Sequence, residues 1–236
     1  MEENQNNRSL TIIISALNEE KLISKTVSEI LSVYRETNDK YEIILVNDGS
    51  TDRTGEIMES FSKDNPEIEV INNPEPLGLG KHFKDGINKA RCEYIIHLSG
   101  DNELTVDGFK NLINAIGSTD LVIGYRVNAF EARVIIRALM SYLFTSFINY
   151  IFGFKLKDVH GLIIFPLKII RELDLECVGY TQQVELLVKL FRKKTSYVEV
   201  PMRINKETYE NSQALHFKTL VDFTKIILHL IYTKTS

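Results

Sequence analysis

The first half of the chain alternates short apolar runs with amphipathic stretches. The runs are rich in Ile, Leu and Val and predict buried strands, whereas the stretches repeat apolar residues three and four positions apart, as one face of a helix does. The predicted strands are 10–17, 41–48, 68–73, 94–100 and 120–126; the predicted helices are 18–36 with Asn18 as N-cap, 50–63, 78–90 and 106–116. Repetition of strand, helix and strand predicts a mainly parallel sheet with helices on both faces.

The second half has a different pattern. Segment 134–152 is almost wholly apolar, and its polar residues fall four apart on one narrow helical stripe: Arg137, Ser141, Thr145 and Asn149. A strand at 158–166, a helix at 182–194, a strand at 196–201 and a mostly apolar final helix at 217–232 follow. The final helix is interrupted by Asp222, Lys225 and His229. No linker separates the halves, so the chain is interpreted as one domain.

Polar motifs follow four of the predicted strands: "SALNEE", "VNDGSTD", "LSGDNE" and "IGYR". In open α/β sheets ligands bind beyond the carboxyl ends of the strands. These four motifs should therefore meet at one rim of the sheet.

Composition narrows the class of partner. The net charge of −4 over 236 residues argues against a nucleic-acid-binding surface. Two cysteines, Cys92 and Cys177, form neither a disulfide framework nor a zinc spacing, and they suit a reducing compartment. The polar N-terminus lacks the apolar core of a signal peptide. We expect a cytoplasmic protein.

Two of the rim motifs carry candidate nucleotide contacts. In "VNDGSTD", Asp48 can accept a hydrogen bond from a nucleobase N–H, and Gly49 permits a tight turn with free backbone amides. The alternative is a strand-to-helix turn without a ligand, in which a residue of 50–52 caps the next helix. In "SALNEE", Glu19 can accept from ribose hydroxyls, or Asn18 is only an N-cap. "LGLGK" could bring backbone and Lys81 to a phosphate, although a helix start explains it equally well.

The motifs "SALNEE", "EIILVNDGSTDRT", "PLGLGKHFKDGINKA", "YIIHLSGDNEL" and "VIGYR" resemble those of family 2 glycosyltransferases in order and spacing. "KDVHGLIIFP" and "VELLVKLFRKKTSYVEVPM" resemble the polyprenyl-phosphate branch, typified by dolichol-phosphate mannose synthases. The resemblance implies a single GT-A domain over 1–236, with a central sheet flanked by helices and C-terminal amphipathic helices. Residues 8–125 would form the nucleotide-sugar half, and 126–236 the acceptor half. It implies a UDP- or GDP-sugar donor, bound by Ala16, Leu17, Glu19, Asp48, Gly49, Lys81 and Gly100.

The resemblance also implies a divalent cation, Mg²⁺ or Mn²⁺, beside the leaving diphosphate. The family usually has Asp-x-Asp at this strand end, but here Ser99 takes the first position and Asp101 the second. Glu103 stands where the branch often has Gln or Asn, and it could supply a carboxylate ligand in place of the one lost at Ser99. We expect Asp101 and Glu103, with Ser99, to hold the metal. The alternative is a polar turn in a non-catalytic nucleotide-sugar-binding protein.

Two catalytic residues follow from the same resemblance. Arg126 matches the family's Gly-x-Arg and could bind a phosphate, or it is only a surface arginine at a strand end. Asp158 matches a recurrent acid near the reaction centre. A departure follows "EVPM", where Glu207, Glu210 and Gln213 replace the branch's Arg, Gly and Lys.

The expected activity is inverting transfer of a sugar to a polyprenyl phosphate. Such an acceptor is already an anion, whereas a glycan hydroxyl, the alternative acceptor in cell-surface polysaccharide synthesis, needs a base, for which Asp158 is the candidate. We expect peripheral contact with the cytoplasmic face of a membrane, with helices 134–152 and 217–232 lying flat in the interface. Basic residues would face the headgroups: Arg133, Arg137, Lys155 and Lys157. The alternative is that the two helices pack on each other and on the sheet.

Overall fold

The computed structural model describes residues 8–36, 39–133, 135–173, 175 and 182–206. Its described strands form a seven-stranded sheet of order β3-β2-β1-β4-β6-β5-β7. The strands are β1 (Leu10–Ala16), β2 (Tyr41–Asp48), β3 (Ile68–Asn73), β4 (Tyr94–Ser99), β5 (Leu121–Arg126), β6 (Ile163–Pro166) and β7 (Tyr197–Met202). The helices are α1 (Ile23–Arg35), α2 (Thr54–Asp64), α3 (Leu79–Lys89), α4 (Val106–Asn114), α5 (Ala129–Ala132), α6 (Ile135–Phe152), α7 (Leu167–Arg171) and α8 (Gln182–Arg192).

The sheet is mainly parallel, as predicted. β1 pairs in parallel with β2 and β4, β2 with β3, and β5 with β7. The exception is β6, which runs antiparallel between β4 and β5. The short β6 therefore joins the four-stranded N-terminal part of the sheet to β5 and β7.

Both faces of the sheet are buried. Along β1, Ile13 belongs to one hydrophobic cluster, whereas Ile12 and Ile14 belong to the other. The cluster of Ile13 includes residues from α3, α7 and α8, and the second cluster includes residues from α1 and α4. Successive strand side chains point to opposite faces, so a continuous apolar run marks a strand covered on both sides.

The prediction that Asn18 caps the first helix is wrong. α1 begins at Ile23 after Leu22, and Asn18 adopts a left-handed backbone conformation with φ of 57°. Its side-chain oxygen accepts from the backbone N–H of Thr51 at 2.8 Å. Asn tolerates this conformation better than most residues, and its amide here satisfies the neighbouring loop instead of a helix end.

Helix α6 is apolar on the side away from the protein. Its polar stripe faces inward: Ser141 accepts from Arg126, Thr145 accepts from the backbone N–H of Val159, and Asn149 bonds both backbone groups of Leu156. Apart from Ser146, the exposed side chains of the helix are large and apolar or aromatic: Ile135, Ile136, Leu139, Met140, Tyr142, Leu143, Phe147 and Tyr150. By length and composition alone, this 18-residue helix of mean hydropathy 1.4 could cross a membrane.

Several sequence predictions lie outside the described residues. These are the final helix at 217–232 and the residues Val134, Cys177, Glu207, Glu210 and Gln213.

Candidate active site

The ends of four strands meet at one rim, as the motifs predicted. β1 ends at Ala16, β2 at Asp48, β4 at Ser99 and β5 at Arg126. Ser15 is paired with Ser99 across the β1–β4 ladder, so the ends of β1 and β4 are level. The polar groups that follow these strands are thereby brought to a common edge of the sheet.

The loop after β1 is hydrogen-bonded to the loop after β2. The backbone N–H of Glu19 donates to the Thr54 hydroxyl at 2.8 Å, and that of Asn18 donates to the Ser50 hydroxyl at 3.0 Å. Of the three residues considered as caps for α2, only Asp52 serves the start of that helix, accepting from the backbone N–H of Thr54 at 2.9 Å. "VNDGSTD" is therefore more than a helix cap, because it also fixes the loop that carries Glu19.

Glycine is required at two of the predicted nucleotide-binding positions. Gly49 has φ of +70°, and a Cβ there would lie 2.7 Å from the backbone carbon of Glu75. A Cβ at Gly100 would lie 2.7 Å from the Cβ of Ala16, so β1 and the turn after β4 touch at this point. Leu17, which follows Ala16, is exposed. The rim is thus built with backbone close to the space where a ligand would sit.

Asp48 is buried and held by several donors. Its Oδ1 accepts from the backbone N–H of Leu77 at 2.7 Å and lies 2.7 Å from Nε2 of His82, while its Oδ2 accepts from Gly78 N at 3.2 Å. Burial raises the pKa of Asp48, but these donors outweigh it, and the pKa lies below its ordinary value. The side chain is a carboxylate acceptor at neutral pH.

The acidic groups of "SALNEE" and "LSGDNE" lie close together. Burial, and then the charge of Asp101 and Asp52, raises the pKa of Glu19 to about 7. Burial and the charge of Glu103 raise the pKa of Asp101, against a hydrogen bond from Ser99. Oε2 of Glu19 is buried and meets no hydrogen-bond partner in the described part of the chain. A cation bound here would offset the repulsion between the carboxylates and would give the buried Glu19 oxygen a partner.

Glu103 is engaged by arginines rather than by the acids. Its carboxylate accepts from Arg133, and Nη1 of Arg126 lies 4.0 Å from the same oxygen. The expectation that Arg133 faces lipid headgroups is corrected: its side chain is largely buried in this pair. Within the described ranges, no three His, Cys, Asp or Glu side chains come close enough to hold a metal ion by themselves.

Arg126 and Asp158, the two predicted catalytic residues, are in direct contact. Nε of Arg126 donates to Oδ2 of Asp158 at 2.6 Å, and its Nη2 donates to Oδ1 at 2.8 Å and to the Ser141 hydroxyl at 3.0 Å. Burial raises the pKa of Asp158, but the Arg126 guanidinium outweighs it and holds the pKa below its ordinary value. A partly open cavity of about 60 Å³ beside them is lined in part by Ser99, Asp101 and Arg126.

Lys81 takes a local position in this structure. Its ammonium pairs with Asp85 one turn along α3, and Gly78 is the N-cap of that helix. "LGLGK" thus serves as a helix start, and a phosphate contact by Lys81 stays a prediction. Sequence reasoning missed two residues of the rim, His82 and Arg133. No local sequence pattern indicates which residues these two side chains contact. Their partners, Asp48 and Glu103, are 34 and 30 residues away in the sequence.

The family model described as Glycosyl transferase family 2 matches residues 11–179. A dolichyl-phosphate beta-glucosyltransferase of Trichomonas vaginalis is 33% identical over 52% of this chain, and the match spans 42% of that relative. The dolichyl-phosphate beta-glucosyltransferase of Saccharomyces cerevisiae is 28% identical over 82% of this chain and 66% of its own length. For the first of these relatives, the chain thus spans less than half of the length.

Among solved structures, glucosyl-3-phosphoglycerate synthase of Mycobacterium tuberculosis in complex with Mg²⁺ and UDP superposes with a TM-score of 0.72. The alignment is 15% identical and covers 97% of this chain and 81% of that one. At this identity the likeness establishes the fold alone. It confirms the predicted GT-A architecture.

Proposed function

The chain belongs to Glycosyl transferase family 2, and we propose that it transfers a sugar from a nucleotide-sugar donor to a polyprenyl phosphate. The observation that carries the proposal is the contact between Arg126 at the rim and Ser141 on α6. This contact joins a site of phosphate-binding chemistry to a helix whose outer face is apolar. A polyprenyl phosphate has a charged phosphate head and a long apolar tail. It would need a phosphate-binding site next to an apolar surface.

The donor is proposed to be a UDP-sugar, with glucose the first sugar to test. The names of the two glucosyltransferase relatives support glucose, and the UDP complex of the structural relative supports uridine. Asp48 would accept from the base, and Glu19 would accept from the ribose. Residues 8–125 would hold the nucleotide and 126–236 the acceptor. Ala16, Leu17, Gly49, Lys81 and Gly100 complete the proposed donor contacts.

A divalent cation fits the acids of the rim. The orphaned oxygen of Glu19 and the raised pKa values of Glu19 and Asp101 indicate a site that is short of positive charge. Asp101 would hold Mg²⁺ or Mn²⁺ with Ser99, and Glu103 could join them only by leaving Arg133. When bound, the cation would neutralise charge on the leaving diphosphate.

The acceptor phosphate would meet the arginines. Arg126 is a buried guanidinium already oriented by Asp158, and Arg133 donates to the Glu103 oxygen that lies 4.0 Å from Arg126. A phosphate oxygen would form the new bond to the anomeric carbon while the bond to the diphosphate breaks, which inverts that centre. A phosphate carries its own charge, so no residue has to remove a proton at this step.

Helix α6 would lie in the membrane interface without crossing it. The polar stripe of the helix includes Arg137, Thr145 and Asn149, and an arginine in hydrocarbon is costly. The exposed aliphatic and aromatic side chains would rest among lipid tails, with the exposed Lys155 and Lys157 near the headgroups. Because nucleotide sugars are cytoplasmic metabolites, the cytoplasmic face is the proposed location.

Transfer of radiolabel from UDP-glucose to a polyprenyl phosphate in detergent, with and without Mg²⁺ or Mn²⁺, tests the proposal. We expect cation-dependent label in the organic phase. Label that stays in water as free glucose would point to a different acceptor, and failure of the protein to bind any nucleotide sugar would remove the enzyme interpretation altogether.

A further inference from the structure

His82, on α3, lies next to the proposed base-binding carboxylate. The side chain is 2% exposed, and its Nε2 lies 2.7 Å from Oδ1 of Asp48. Neither ring nitrogen meets hydrogen-bond geometry with any group in the described residues, so the contact is close but not fully aligned. Burying a polar ring costs free energy unless the ring interacts with another group. The contact with Asp48 is the interaction that can offset this cost for His82.

The two oxygens of Asp48 are used unequally. Oδ1 accepts from the backbone N–H of Leu77 at 2.7 Å, has the Asn73 amide at 3.3 Å and has the His82 ring at 2.7 Å. Oδ2 accepts only from the backbone N–H of Gly78, at 3.2 Å, among the residues described here. An ionised carboxylate offers about two acceptor positions per oxygen. Oδ1, with two contacts at 2.7 Å, is therefore the more crowded oxygen, and Oδ2 has the larger unused capacity.

The number of available oxygens discriminates between bases. Uracil presents one ring N–H between two carbonyl groups, which a single carboxylate oxygen satisfies. Guanine presents a ring N–H beside an exocyclic amino group, a pair that matches both oxygens of a carboxylate. Cytosine and adenine present a ring nitrogen acceptor at the corresponding edge, which a carboxylate repels.

We propose that His82 is a positioning residue that fixes the Asp48 carboxylate with one oxygen available, and that it thereby favours uracil over guanine. This inference rests on the proposed function, because it concerns the base of the same donor. His82 acts through Asp48 and need not touch the nucleotide. In this arrangement the second hydrogen of the Asn73 amide, which Asp48 does not accept, would donate to a uracil carbonyl.

The test is calorimetric titration of UDP and GDP, each with Mg²⁺, into the wild-type chain, His82→Gln and His82→Leu. The Gln amide nitrogen can occupy the place of Nε2, whereas Leu has a similar volume and removes the polar contact with Asp48. We expect wild type to bind UDP more tightly than GDP. We expect the ratio to fall about tenfold in His82→Leu, the scale of one hydrogen bond, and to return in His82→Gln.

The titrations distinguish failure of the proposed function from failure of the role assigned to His82. If wild type binds neither diphosphate, the proposed function fails and the inference fails with it. If wild type prefers UDP and His82→Leu keeps the same ratio, or if wild type prefers GDP, only the role of His82 is overturned. A purely structural role would lower the melting temperature without changing the ratio. Should His82→Leu not fold, His82→Asn, whose amide is too short to reach Asp48, carries the same expectation.

Discussion

Arg126 and Asp158 form a two-point ion pair, with Nε to Oδ2 at 2.6 Å and Nη2 to Oδ1 at 2.8 Å. The backbone N–H of His160 adds a third donor to Asp158 at 3.0 Å. Both carboxylate oxygens are therefore engaged, and the pKa of Asp158 lies below its ordinary value because Arg126 outweighs the effect of burial. Such a carboxylate is a weak base and a firm support for the guanidinium, which suits a phosphate acceptor better than a hydroxyl.

Asp158→Asn should lower transfer by about ten- to a hundredfold, the range for a charge-assisted hydrogen bond, mainly by raising the KM for the acceptor. The rate should keep its pH profile, because no proton passes through Asp158. Steady-state kinetics across pH provide the measurement. Asp120→Asn is a matched control: Asp120 also has a lowered pKa and bonds Ser196, but it lies beside the opposite end of β5. If the acidic limb of the pH profile disappears in Asp158→Asn alone, Asp158 is a general base.

Asp101→Ala should abolish metal-dependent transfer, whereas Ser99→Asp should keep or raise it. Ser99 hydrogen-bonds Asp101 and a carboxylate in its place would be a stronger ligand for Mg²⁺ or Mn²⁺. Activity as a function of Mn²⁺ concentration is the measurement, and a lower concentration for half-maximal activity is expected in Ser99→Asp. Loss of activity in Ser99→Asp, with the fold intact, would show that this position does not face the metal.

Asp48→Ala should remove nucleotide binding while leaving a folded chain. The carboxylate is ionised and is the group we assign to the base, so its loss should weaken UDP at least tenfold. Titration of UDP and a thermal melt on the same sample separate binding from folding. Asp52→Ala, in the same motif but bonded to the start of α2, is the control that should affect stability more than binding. Unchanged UDP affinity in a folded Asp48→Ala protein would remove Asp48 from the site.

Glu19 should make the metal-free protein less stable as pH rises. Its pKa in the folded chain is about 7, above the ordinary value of 4.5, so the folded state binds this proton more tightly than the unfolded state. That contribution is fully present below the ordinary pKa and is lost as pH rises through about 7. Urea midpoints between about pH 5 and about pH 8 measure it. The decline should be smaller in Glu19→Gln and with Mg²⁺ present. Equal slopes for wild type and Glu19→Gln would refute the assignment.

The two sides of α6 should respond differently to substitution. Leu139→Ser with Leu143→Ser, on the exposed face, should reduce cosedimentation with anionic liposomes and leave the free energy of unfolding nearly unchanged. Thr145→Val, on the inward stripe, should cost about 1 kcal/mol by removing the acceptor for Val159 and should leave liposome binding intact. Wild-type protein that stays in the supernatant with all liposomes would count against the interface and favour a soluble acceptor.

The sequence predicted the parallel strands to within one residue because buried parallel strands have a strong local signature. The antiparallel strand predicted at 158–166 is limited to Ile163–Pro166 in the structure. The bounds 41–48 and 68–73 are the observed ones. Asn18 was assigned wrongly because the same short polar side chain suits an N-cap and a left-handed turn. The position of β6 between β4 and β5 depends on pairings far apart in sequence, which no local pattern reports.

The candidate site was predicted residue by residue, but its internal contacts were not. The family resemblance assigned both Arg126 and Asp158 to the site, whereas their direct contact and the bonding of Glu103 to Arg133 did not follow from the sequence. The polar stripe of α6 was visible in the sequence. Its inward orientation was not, because a stripe of four polar residues can face either water or a protein's own backbone carbonyl and amide groups.

The most direct test that the acceptor is a lipid phosphate compares glucose transfer to two matched lipids, farnesyl phosphate and farnesol. Both have the same tail, and only the first has the anionic head that Arg126 and Arg133 are proposed to bind. With UDP-glucose and Mg²⁺, we expect a glucosylated phosphate product and a kcat/KM for farnesyl phosphate at least about a hundredfold above that for farnesol. Equal transfer to the two lipids, or glucosylation of farnesol alone, would contradict the account.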